Sequence, residues 1–194
     1  MQHSKTMSNI VDNWNVQQKY LYCCGIYLRL LPFYREFSKQ FSWGDADTVE
    51  LSAENIFSAI GNSTDELRLI AKQQIPILEQ NTPDMDDFHS ELLPSLALDA
   101  TAALLTTCDY ILSNDDKCIS EIEEIFHNTF EFIDSQMDEF LQFALPSESF
   151  IDLSAFKNIY LNELKSTVSE PIELMTIKNN VRNIVQNFAF RFIA

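Results

Sequence analysis

Glycine is almost missing from this chain. Gly25, Gly44 and Gly61 are the only three in 194 residues, so the glycine-rich loops that cradle phosphates in P-loop and dinucleotide-binding proteins have no counterpart. Cysteine is scarce too. Cys23 and Cys24 are adjacent, while Cys108 and Cys118 stand alone in apolar surroundings. That spacing suits neither a disulfide framework nor a zinc site, and predicts free thiols that are mainly buried. Sustained period-two alternation is absent apart from a brief FAFRFIA at the end, which suits a helix equally well. No apolar run approaches the roughly 20 residues that span a bilayer. The opening MQHSKTMSNIVDNWN has no apolar segment and no small-residue cleavage signal, so the expected location is the cytoplasm. Residues 1–12 are expected to be flexible. Nothing calls for a cofactor.

Apolar residues make up 46% of the chain and 15 of them are Phe, too many for a disordered protein. A chain this long usually forms one domain that buries roughly 70% of its unfolded surface. Tyr20, Cys23, Cys24, Tyr27, Leu30, Leu31, Tyr34, Phe37 and Phe41 recur at three- and four-residue steps and share a helical face. Pro32 lies inside that pattern, where its missing amide hydrogen predicts a kink or a restart. Gly25 on the same helix suits close approach of a neighbour. Gly44 is read as a C-cap, with Asp47 or Thr48 capping a helix from about Thr48 to Ile60. Ser63 and Glu66 form a capping-box pattern for a helix over 64–78, bent near Pro76. QNTPDMDD reads as a loop, with Thr82 and Pro83 resembling an N-cap and first-turn pair. Leu92 to Ile111 forms a long, alanine-rich central helix. A second long helix covers about 116–143 and pairs antiparallel with it. Helices near 151–164 and from about Ser169 complete the chain. The predicted fold is all-α: a compact single-domain bundle of about seven or eight helices spanning 1–194, its first helix kinked near Pro32.

Two segments carry a family likeness. LRLLPFYREFSKQFSWGD (28–45) resembles the ERxxPxYxxF…FGD signature of the bacterial YjaG-type proteins, a family of unknown function. LPSLALDATAAL (93–104) resembles that family's YPAxDAxxAL segment through Asp99 and Ala100. The family's Glu-Arg pair is Leu28-Arg29 here, its Asn between Pro and Tyr is Phe33, and the Pro-to-Asp spacing of the second motif differs. The resemblance covers residues 15–165 in helix order. It implies a helical bundle and transfers no catalytic residue.

Charge is the strongest functional signal. The formal net charge is −16, and between Asp84 and Glu139 stand fifteen acidic residues and a single basic one, Lys117. Residues 1–40 carry a balance of +3. The molecule is polarised. The expected partner-binding face comprises Asp84, Asp86, Asp87 and Glu91, then Asp115, Asp116, Glu121, Glu124, Glu131, Asp134 and Asp138, with self-repulsion left uncompensated. Such a face repels nucleic acid and anionic membranes and steers basic proteins into encounter. The leading expectation is a non-catalytic immunity protein that masks a basic, nuclease-type toxin. The rival is a helical metalloenzyme at Glu124 and His127, because residues three apart on a helix share a face. A homodimer joined by exposed Phe and Tyr is the third possibility. Serine chemistry has no G-x-S-x-G elbow to support it.

Overall fold

In the computed structural model the described residues are 11, 13–88, 91–145 and 153–192. The expected flexibility of residues 1–12 falls mostly outside them. The first long helix, α1 (Val16–Phe41), opens at Asn15, whose side chain accepts from the Gln18 amide while the Gln18 side chain accepts from the Asn15 amide. This reciprocal cap satisfies two donors that a helix start leaves free. No restart occurs at Pro32: α1 runs through it unbroken, flanked by the buried Leu30, Leu31, Phe33 and Tyr34. Burial on both sides outweighs the one hydrogen bond that proline removes.

The chain leaves α1 through Ser42, in the left-handed region at φ 50°, and then Gly44 at φ 67°. The C-cap is thus Ser42, not Gly44. The next helix, α2 (Ala46–Ala59), is capped by Asp45, not by Asp47 or Thr48; the Asp45 carboxylate accepts from the Thr48 amide at 3.0 Å and the Thr48 hydroxyl at 2.7 Å. The cap falls two residues before Asp47 and three before Thr48, directly after Gly44, whose positive φ turns the chain there. Trp43 packs on Phe37 and Phe88 and covers that end of the core.

Helix α3 (Thr64–Gln80) starts at Ser63, whose hydroxyl accepts from the Glu66 amide, and passes through Pro76. Thr82 is not an N-cap; its hydroxyl donates back to the Leu78 carbonyl at 2.9 Å and closes α3. A single turn, α4 (Met85–Phe88), occupies part of the expected loop. Helix α5 (Leu92–Ser113) lies at the centre, packed by α1, by α3 and by α6 (Lys117–Ser135). Buried Ala97, Ala100 and Ala103 let these neighbours approach closely. By length and composition α5 is apolar enough to cross a membrane, which corrects the expectation that no segment is; in this fold it is the hub of the bundle.

The second long helix is broken. Gln136, at φ −120° and ψ 32°, separates α6 from α7 (Met137–Phe143). The pairing with α5 is antiparallel: Tyr110 donates to Asp116, Thr129 bonds Asp99, and the Leu92 amide donates to Glu139, in reverse chain order. Helix α8 (Leu153–Val168) lies against α1 at Gly25, where an added Cβ would stand 2.5 Å from a Leu164 methyl and where the Tyr160 hydroxyl donates to the Gly25 carbonyl. The expected close approach is therefore real. Helix α9 (Leu174–Asn187) begins later than expected, with Glu173 at its start. The chain end forms a two-residue ladder in place of a helix, β1 (Ala144–Leu145) pairing antiparallel with β2 (Arg191–Phe192). One hydrophobic cluster links all the longer helices, and the architecture is all-α.

Candidate functional site

The eleven acidic residues singled out by the sequence are all exposed. The Leu92 amide donates to Glu139 and so ties α7 to the start of α5. Asp115 and Asp116 lie at the far end, where the α6 N-terminus favours negative charge. Glu121, Glu124, Asp134 and Asp138 form no ion pair with a described basic residue.

Cations are distributed in the opposite way. Arg35 clasps Glu50 and Asp47, Arg182 reaches Glu54, and Lys39 lies beside Glu36. Lys178 donates to the carbonyls of Ser58 and Ile60 at the end of α2, and Arg68 to that of Ile111. Lys19 bonds Asp116 and Lys157 bonds Glu131, both at 2.7 Å. Among the described basic side chains, Lys72, Lys117 and Arg29 form no ion pair or hydrogen bond. The expectation of uncompensated repulsion therefore fails at Asp116 and Glu131, because lysines remote in sequence fold onto them.

A second charged stretch lies on the flank of α6 that faces α8. Glu123, His127 and Glu131 recur at four-residue steps and share that flank. Lys165 bonds Glu123 at 2.7 Å, the Tyr22 hydroxyl donates to Glu123, and Lys157 holds Glu131. His127 sits half-buried between the two pairs, and burial, reinforced by Lys157, lowers its pKa. The metal alternative at Glu124 and His127 gains little here. Glu124 points to solvent, the two carboxylates flanking His127 hold lysines, and no group of three potential ligands gathers among the described residues. Thiol chemistry is no better served, since Cys23, Cys24 and Cys108 are buried and burial pushes the Cys24 and Cys108 thiols up to about 12. A homodimer through exposed Phe or Tyr also lacks its surface among the described residues. The large apolar side chains left exposed there, Leu51 and Met175 foremost, are aliphatic.

Two buried charges were not singled out by the sequence. Asp99 is half-buried between α5 and α6, and loss of water pushes its carboxyl up to about 6 despite the Thr129 hydroxyl at 2.8 Å. Thr129 also lies 2.7 Å from the Ile125 carbonyl. One hydroxyl proton cannot serve both acceptors, so the set is complete only below about pH 6, where a protonated Asp99 donates to Thr129. Arg29 is fully buried, and its Nε, Nη1 and Nη2 have no hydrogen-bond partner. Four rings surround it, Phe33, Phe130, Phe156 and Phe190, with Phe190 nearest at 4.2 Å. Desolvation lowers its pKa to about 10, so the guanidinium stays charged at neutral pH. The cue in the sequence was an arginine four residues from Gly25 and from Phe33, within the apolar stripe.

These features define an all-α bundle with a stretch of exposed, unpaired carboxylates and no assembled catalytic constellation among the described residues. Residues 6–183 match the family described as "Protein of unknown function (DUF416)", and the chain belongs to that family. The fold is similar to the crystal structure of a DUF416 family protein from Shewanella baltica OS155, with a TM-score of 0.67 and 19% identity over 92% of this chain and 93% of that one. No curated protein matches.

Proposed function

We propose that this protein acts by binding, without catalysis, as a cytoplasmic immunity protein that neutralises a cognate nuclease-type toxin by masking its basic surface. Within its family we group it with the YjaG-type members on Arg29, Pro32 and Tyr34. The observation that carries the reading is the division of charge. Most described basic side chains bond carboxylates or carbonyls, while Asp84, Asp86, Asp87, Glu91, Glu121, Glu124, Asp134 and Asp138 face water and form no ion pair with a described basic side chain. Such a field accelerates encounter with a basic protein and repels nucleic acid, so the toxin's phosphate-holding groove is the surface it fits.

The test uses two tagged baits in native cells at low salt: the wild type, and a variant carrying Glu121→Lys, Glu124→Lys, Asp134→Lys and Asp138→Lys. Glu131 is spared because Lys157 already engages it. A basic protein with nuclease activity, held by the wild type, released by salt and lost from the variant, is the expected result. Equal recovery on both baits, or a captured protein whose nuclease activity is undiminished, overturns the reading.

A further inference from the structure

An arginine that is fully buried without an acceptor needs a physical explanation. Its guanidinium stays ionised at neutral pH. Ring faces attract its charge, but they offer no lone pair to its N–H groups. Three nitrogens of Arg29 therefore remain unsatisfied, although buried polar groups nearly always find partners. Removing an ion from water without a counter-ion is the costliest arrangement a core can hold.

The surroundings indicate what would satisfy it. The rings come from four parts of the chain: Phe33 on α1, Phe130 on α6, Phe156 on α8 and Phe190 just before β2. Three sit on long helices. The fourth and nearest belongs to the chain end, whose backbone pairing is the two-residue ladder of β2 with β1. Such a short ladder opens more easily than helix packing, and lifting it uncovers Arg29 on the Phe190 side.

We propose that Arg29 is the recognition residue of an internal site for a small organic monoanion, a carboxylate on a flat apolar body, bound between α1, α6 and α8 where the Phe190 ring now lies. The paired N–H edge of a guanidinium matches the two oxygens of a carboxylate. Aromatic walls suit a planar apolar body. A phosphate dianion would bring more charge than one guanidinium neutralises, in a protein already at −16.

Benzoate is the probe, with chloride and phosphate as controls at matched ionic strength. On the full-length wild type, benzoate should raise Tm saturably and shift the Arg29 Nε–H resonance, while the controls do neither. Arg29→Met should abolish the Tm response. Arg29→Lys, which keeps the charge and loses the fork, should weaken benzoate at least tenfold. Phe190→Ala, which removes the cover, should bind benzoate at least as tightly as wild type. Identical responses to all three salts overturn the proposal, as does a benzoate response that survives in Arg29→Met. If Arg29→Met does not fold, the wild-type resonance decides: a peak unmoved by benzoate overturns the site.

Discussion

Helix α6 carries acidic residues on two sides, and they meet opposite environments. Toward α8, Glu123 and Glu131 are each bonded by a lysine, and both lysines are almost entirely buried. Toward solvent, Glu121, Glu124 and Asp134 meet only water. The residue types are the same. What differs is the neighbour, and with it the role of charge: on the inner flank it is structural, because an unpaired lysine there would be stranded, while on the outer face it is free to attract a partner. A third side, toward α5, holds Asp99 alone with Thr129, a carboxylate without any cation.

The comparison is broken most severely by Glu123→Ala, which strands Lys165 and the Tyr22 hydroxyl together. Removing one partner of a buried pair typically costs about 3–5 kcal/mol; Glu123 is partly exposed, so about 2–3 kcal/mol is expected in urea unfolding. A change below the error of that measurement would show that the inner flank is no more structural than the outer one.

Asp99→Asn comes next, with the opposite sign. The folded-state pKa of Asp99 is raised above its unfolded value, so the wild type is unpenalised below about pH 4 and loses stability as pH rises through about 6. The variant carries no such titration. It should match the wild type near pH 4 and exceed it by about 2 kcal/mol at pH 7, because the roughly 3 kcal/mol given by about 1.4 kcal/mol per pKa unit is reduced by the partial exposure of Asp99. Paired urea melts at the two pH values check it; parallel curves would place Asp99 in ordinary solvent.

Lys157→Met sharpens the inner flank on a smaller scale. Lys157 lowers the His127 pKa after burial has done so, so the His127 imidazole resonances should titrate at higher pH in the variant. An unchanged titration would separate His127 from the lysine pair. The smallest effect on stability belongs to the outer face: Glu121→Lys, Glu124→Lys and Asp134→Lys, made singly, should each alter unfolding free energy by less than about 0.5 kcal/mol. A large loss there would make the outer carboxylates structural and remove the basis for the binding role.

Much of the fold was legible because helices are written locally. Leu92, Leu96, Ala100, Leu104 and Ile111 fall at helical spacing, and the α5 that results matches the expected helix within two residues. Ser63 caps α3 as its pairing with Glu66 suggested. Errors occurred where one backbone angle decides the outcome. Gly44 turned the chain early and gave the cap to Asp45, and Gln136 interrupted a run whose side-chain pattern continues unbroken. The acidic face was legible as composition, and its exposure follows from the apolar stripe opposite it. Neither Lys19 on Asp116 nor Lys157 on Glu131 could be read, since 97 and 26 residues separate the partners.

The sequence by itself determined that this protein is helical, where most helices begin, and that its middle third is anionic, because periodicity and capping act within a few residues and charge is counted without coordinates. Only the tertiary structure decided which charges are neutralised and which remain open. That choice depends on which distant helices pack together, and it left Arg29 enclosed by four rings with its nitrogens unpaired.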